Sequence, residues 1–287
     1  MLHQDNASRE TPPLCVAYSD LLIGLPEGTP QIQYTNMKKL DCVIDTQARK
    51  CCIDSSKSPF LIVTSIPSTF LEEMDHFYHD KCPRFTLNIQ ERIVIIEVMV
   101  TEPHELVSQA LSKCISDSID RMGLKKVLRD TGRAQVTSTT SAKEPDGSFK
   151  LVREKWPTIA IETGLSEHIS KLAIDAHWWL EAEESRTLVV ITAKIDQRRP
   201  QIIFQRWEHY YPPLRPITRH YYPTSTVIQE VHAVHEGGIT RATGDLVIPF
   251  EKMFRRPRDG GEENDTVIGR DVLADIAESA WESQGFM

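Results

Sequence analysis

This sequence lacks paired cysteine motifs, an excess of basic residues, an apolar leader and any membrane-length apolar run. The six cysteines (Cys15, Cys42, Cys51, Cys52, Cys82 and Cys114) never fall in a C-x-x-C spacing. A zinc site is therefore not expected, and adjacent Cys51 and Cys52 read as reduced thiols rather than a disulfide framework. Lysine and arginine total 33 against 41 acidic residues, a net charge of -8. That balance argues against a generally basic nucleic-acid surface while leaving room for a local basic groove around an acidic metal site. The N-terminus, MLHQDNASRETPP, is polar and has no apolar h-region, so a secretory signal is not expected. No apolar run approaches the ~20 residues a membrane span needs. The expected location is inside the cell, nuclear or cytoplasmic, with no membrane partner.

What is present is an ordinary globular composition, 40% apolar and 26% charged over 287 residues, with no visible internal repeat. Residues 1 to about 30 read as a loose arm, and the pieces near Tyr34 and Cys42–Ile44 are short strand candidates left unassigned. Pro59–Ser65 reads as a strand, and Thr69 with Glu72 as a capping-box start to a helix through Phe77. Arg84–Asn88 and Ile93–Val100 form a predicted hairpin. Pro103 opens a long helix, with Val107, Leu111, Cys114, Ile115, Ile119 and Met122 at helical spacing and Gly123 as its stop. Gln135–Ser141 and Ser148–Val152 read as strands. The stretch from Trp156 to Ile195 reads as a buried strand, a turn at Gly164, a helix capped by Ser166, and a second buried strand. Gln201–Trp207, Val227–Val234 and Asp245–Phe250 are further strands, Tyr210–Pro223 a long loop, and Asp271–Trp281 a closing helix. The simplest division is an N-terminal extension over 1–58 and one α/β domain over 59–287.

Three acids fall in order along this pattern. Glu105 opens the long helix, Asp146 precedes a strand in KEPDGSF, and Glu162 ends the next strand in IAIETG. Burying Glu162 unpaired would be costly, so it is either a paired structural charge or a functional one. Two carboxylates on neighbouring strands can hold a hard divalent cation, usually Mg²⁺, which takes few protein ligands and keeps several waters. Such a cation polarises a phosphodiester and lowers the pKa of an attacking water, while a nearby lysine stabilises the developing charge.

The ordered segments PHE (Pro103–Glu105), KEPDGSF (Lys143–Phe149), WPTIAIETGLSE (Trp156–Glu167), DAHWWL (Asp175–Leu180) and LVIPFEKMFRRP (Leu246–Pro257) carry a resemblance. Together the chain resembles a fungal family of PD-(D/E)XK nuclease-like proteins. The resemblance implies a restriction endonuclease-like core, a mixed central sheet flanked by helices. It further implies Asp146 and Glu162 as ligands of Mg²⁺ or Mn²⁺, Glu105 as the acid of the first core helix, and nucleic acid, DNA ahead of RNA, as the partner. The sequence departs from the pattern at the lysine: two residues after the second acid stands Gly164. Lys171, on the following helix, is the candidate to replace it, and Lys143 its competitor. The expected activity is metal-dependent hydrolysis of phosphodiester bonds. The alternative is a catalytically inactive nuclease-fold protein that binds nucleic acid or a protein.

Each residue also has an ordinary structural role. Glu162 could reach solvent at its strand end, Asp146 could be a P-D-G turn residue, and Glu105 could serve the helix dipole. Lys171 could snorkel or pair with Asp175 four residues on. Trp178 and Trp179 read as packing residues, and His104, His177, His232 and His235 as structural or surface groups. The basic runs Phe254–Arg258 and Arg198-Arg199 could meet phosphates or simply be solvated.

Overall fold

In a computed structural model, residues 21–78, 83–210 and 224–287 are described. In chain order the elements are β1 (Gln31–Gln33), α1 (Met37–Ile53), β2 (Phe60–Thr64), α2 (Phe70–Phe77), β3 (Arg84–Asn88), β4 (Ile93–Glu97), α3 (Glu102–Arg121), β5 (Leu128–Asp130), β6 (Val136–Thr137), β7 (Ser141–Lys143) and β8 (Gly147–Leu151). There follow β9 (Ile159–Gly164), α4 (Ile169–Glu181), β10 (Val189–Ile195), β11 (Gln201–Tyr210), β12 (Thr224–Glu236), β13 (Ile239–Ala242), β14 (Leu246–Ile248), α5 (Phe250–Phe254), β15 (Thr266–Ile268) and α6 (Arg270–Gln284). The fold is α/β, with mixed sheets flanked by helices.

One sheet runs β1-β2-β4-β3-β7-β6, the second β13-β12-β11-β10-β9-β8-β5, and β14 pairs with β15. In the second sheet β9 and β10 are parallel, joined across α4, while β8 lies antiparallel to β9. Strand periodicity assigns the faces. Ile159 and Ile161 of β9 turn towards Val107, Leu111 and Ile115 of α3 and Ala277 and Trp281 of α6. Ala160, on the other face, meets Ala176 and Trp179 of α4 beside Trp156. Glu162, two residues after Ala160, therefore faces α4. The first sheet buries Leu61, Val63, Leu87 and Ile96 against Met37, Leu40 and Ile44 of α1 and Phe70 and Met74 of α2.

Several sequence expectations are corrected here. The piece Cys42–Ile44 lies inside α1, whose start Asn36 caps by accepting from Lys39 N–H at 2.9 Å. Residues 31–53 thus contribute a strand paired in parallel to β2 and a helix on its core, so the division at residue 58 falls inside one sheet-and-helix layer. Thr69 does not form the capping box; its hydroxyl goes to Glu73 at 2.7 Å. The strand read over Gln135–Ser141 is two short strands, β6 and β7, paired antiparallel with Val136 opposite Lys143. Ser138 folds that tight connection, its hydroxyl accepting from Ser141 N–H at 3.2 Å, so β-branched composition alone misled. Ser166 is not the cap of α4; the chain bends through 165–167 and His168 is the cap, its Nδ1 accepting from Ser170 N–H. The loop read over Tyr210–Pro223 lies outside the described residues beyond Tyr210, as does most of the N-terminal arm.

The described end of that arm lies against the first sheet and α4. Leu21 is buried with Phe60, Ile62, Ile93 and Ile95, on the sheet face opposite α1. The Gly24 carbonyl accepts from His168 N–H at 2.8 Å. A Cβ at Gly24, at φ 78°, would sit 2.6 Å from the Lys171 backbone nitrogen, whereas Gly28, at φ 75°, has open space around it. Gly24→Ala should therefore lower the unfolding free energy by about 2–4 kcal/mol, backbone strain plus overpacking. Gly28→Ala should show only the strain, about 1–2 kcal/mol. Equal losses in urea unfolding would show that the arm does not bear on α4.

Candidate active site

The chain crosses from the first sheet to the second through Glu144, Pro145 and Asp146, between β7 and β8. Asp146 continues the β8–β9 ladder, its N–H donating to Ile161 O at 3.0 Å. Its carboxylate then takes the next donor, Thr163 N–H, at 2.6 Å. Gly147 follows because α3 passes close by: a Cβ there would meet Ser112 Oγ at 2.5 Å. The P-D-G sequence thus delivers a buried carboxylate to β9 rather than an exposed turn; the Asp146 side chain is 6% exposed.

Arg84, from β3, places Nη1 on Asp146 Oδ1 and Nη2 on Glu105 at 2.8 Å, with Glu97 at 3.3 Å from Nη1. His104 Nε2 lies 3.2 Å from Asp146 Oδ2. Burial works against charge on both partners, yet their mutual attraction prevails; Arg84 adds to it at Asp146 and opposes it at His104. Asp146 is held well below the usual carboxylate range, and the His104 imidazolium is raised to about 9.

Glu162 is buried on the α4 side, where it accepts from the Trp179 indole N–H, and Lys143 Nζ stands 3.4 Å away. Burial pushes its carboxyl up to about 8; the Lys143 ammonium opposes that, and the charges on Asp175 and Asp146 add to it. Asp175 Oδ1 holds two ammonium groups, Lys143 at 2.9 Å and Lys171 at 2.5 Å. Lys143 also donates to Thr86 Oγ1 at 3.3 Å. Glu144, beside them, is raised to about 7 by burial against the pull of Arg133, Arg84 and Lys143.

One cleft between the two sheets gathers these groups. It is lined by Arg84, Glu97, His104, Lys143, Glu144, Asp146, Glu162, Thr163, Glu167, Lys171 and Asp175, with Phe60 and Ile95 on the first-sheet wall. Its free volume is about 50 Å³. At roughly 30 Å³ per water that is room for one or two molecules.

The sequence candidates Asp146, Glu162, Lys171 and Lys143 all line this cleft, and Glu105 touches it through Arg84. Lys171 is buried rather than snorkelling, with its ammonium on Asp175. Gly164, where the resemblance puts a lysine, has no room for one: a Cβ would lie 2.6 Å from a Glu167 oxygen and 3.1 Å from Leu172 Cδ1. Of the two lysines it is Lys143 that stands beside Glu162. Sequence reasoning missed Arg84 and Asp175 and placed His104 among the bystanders. The available signals were an arginine inside the five-residue buried strand β3 and a histidine adjoining Glu105. The remaining histidines have local partners: His177 with Glu181, His232 with Glu230, His235 with Thr240. The basic runs are paired too, Arg255 with Glu154, Arg256 with Glu263, Arg258 with Asp265 and Arg199 with Asp196. Trp178 and Trp179 are core residues.

The donor chemistry suits a hard divalent cation. Carboxylates of Asp146 and Glu162 supply oxygen, no thiol lines the cleft among the described residues, and the buried Thr163 hydroxyl beside them has no hydrogen-bond partner there. Among the described residues no group of three or more His, Cys, Asp or Glu is arranged to cage a metal, so such an ion would keep several waters. Arg84 and His104 already lie against Asp146, and Lys143 against Glu162, and any dication must contend with them.

Among the described residues no helix is long and apolar enough to cross a membrane. No family model and no curated protein matches the chain. The crystal structure of a DUF820 protein from Anabaena variabilis, named provisionally as a nuclease, is similar at 15% identity and a TM-score of 0.36, over 55% of this chain and 82% of that one. A likeness that low carries no weight for fold or function.

Proposed function

We propose that the chain is a divalent-metal-dependent nuclease of the restriction endonuclease-like kind, hydrolysing phosphodiester bonds of nucleic acid, DNA ahead of RNA. The observation that carries this reading is the meeting of Asp146, Glu162 and a lysine ammonium in one cleft, from adjoining strands. Asp146 and Glu162 would hold Mg²⁺ or Mn²⁺, which when bound polarises the phosphodiester and acidifies an attacking water. Lys143 would stabilise charge developing on the phosphate. Lys171 acts through Asp175, fixing the carboxylate that positions Lys143. Glu105 acts through Arg84.

A second reading, a nuclease-fold protein that binds without cleaving, is favoured by the small cleft and its internal ion pairs. Single- and double-stranded DNA and RNA, incubated with the protein and Mg²⁺ or Mn²⁺, separate the two. Cleavage is expected from the wild type and should fall to background in Asp146→Asn and Glu162→Gln. Lys143→Met should lose about 10²–10³-fold, and Lys171→Met less. Cleavage that persists in Glu162→Gln would remove the site assignment. Absence of cleavage and of metal binding under every condition would establish the second reading.

A further inference from the structure

Each carboxylate assigned above to the metal is held by a cation that has another carboxylate to fall back on. Lys143 touches Glu162 but bonds Asp175 more closely, at 2.9 against 3.4 Å. Arg84 touches Asp146, and its two terminal nitrogens also reach Glu97 at 3.3 Å and Glu105 at 2.8 Å. The Arg84 side chain is 5% exposed and its Nε has no partner. A guanidinium does not shed its proton in a protein, so Arg84 can lose its grip on Asp146 only by pairing elsewhere. Glu97, on β4, and Glu105, on α3, are already in place for that exchange. Glu105 sits partly exposed at the cleft rim, with Arg133 3.8 Å away on its outer side.

We propose that Arg84 is an internal counter-ion that competes with a divalent cation for Asp146 and transfers onto Glu97 and Glu105 when that cation enters. The inference rests on the metal reading of the site. It assigns Arg84 a positioning role that keeps the metal-free site neutral and folded. Two like-signed groups cannot share Asp146 without a repulsion that weakens as Arg84 moves off. The cost of that movement is subtracted from metal affinity.

The test is calorimetric titration with Mn²⁺ alone, checked by the loss of the free Mn²⁺ electron-resonance signal, on intact wild type and variants. Arg84→Met should bind Mn²⁺ about tenfold tighter or more than wild type, because one of the two cations on Asp146 is gone and only His104 remains. Glu105→Gln should bind more weakly than wild type, since Arg84 then has one acceptor fewer and leans harder on Asp146. Wild-type binding that is abolished in Asp146→Asn, yet no tighter in Arg84→Met, overturns the inference and leaves the metal reading standing. Absence of binding in both wild type and Arg84→Met overturns both. Where Arg84→Met does not fold, the Glu97→Gln/Glu105→Gln double variant decides: weaker Mn²⁺ binding supports the exchange, and unchanged binding overturns it.

Discussion

Asp175→Ala should cost about 3–5 kcal/mol of folding stability, the usual price of leaving a buried charge without its partner. Against a total of about 5–15 kcal/mol for a domain, that leaves the variant near its folding limit. The reason is the sharing of one carboxylate by two buried ammonium groups, each side chain only 5% exposed. Without Asp175, Lys143 keeps Glu162 and Thr86, while Lys171 keeps no carboxylate in reach of its ammonium among the described residues. The loss should therefore be partly recovered by removing the stranded charge, and Asp175→Ala/Lys171→Met should be more stable than Asp175→Ala alone. Urea unfolding midpoints of wild type, single and double variants measure this directly. A single variant within about 1 kcal/mol of wild type would mean that the lysines reach water, and that the cluster is not dry.

Stability of the metal-free protein should be greatest near about pH 4–4.5 and fall by several kcal/mol towards pH 9. Three groups drive the alkaline loss. Glu162 is raised to about 8 and Glu144 to about 7, both first by burial, so above the ordinary carboxylic pKa the unfolded chain ionises them while the fold resists. His104 is raised to about 9 by Asp146 in spite of burial, so its contribution is whole below about 6.5 and is lost as pH climbs through 9. On the acid side Asp146 and Asp175 are both lowered by the cations beside them, against burial. Their contributions are present above about pH 4 and are lost as pH falls further. Thermal midpoints at pH 5, 7 and 9 check the slope, and a midpoint that holds level or rises from pH 6 to 9 would falsify it. His104→Gln and Glu162→Gln should each flatten the alkaline limb.

Much of the site was readable because its residues lie on elements with strong local signals. The α3 periodicity, the apolar run of β9 before Glu162, and the helix between two buried strands all follow from hydrophobic spacing. Arg84 and Asp175 were not readable, because what makes them part of the site is pairing across 62 and 32 residues. A single sequence shows an arginine in a hairpin and an aspartate in a helix, each with an ordinary local explanation. Lys171 was legible as a residue but not as a buried one, since its default partner at i+4 is the same Asp175 that burial requires. The helix α1 was hidden by its charged first turn and its cysteine pair, and by tertiary packing against β2 that no local pattern shows.

The shortest of the crossings between the two sheets is three residues long, and it carries Asp146. Lys143, just before it, is stitched into one ladder, opposite Thr86 and Val136. Gly147, just after it, is stitched into the other, opposite Ile161. Mechanically the cleft is a joint whose pin is Glu144–Asp146. Neither strand can slide without breaking its own ladder, and α3 and residues 131–135 tie the same two sheets together again. A rigid, narrow gap is the default state, and whatever enters it must act as a wedge.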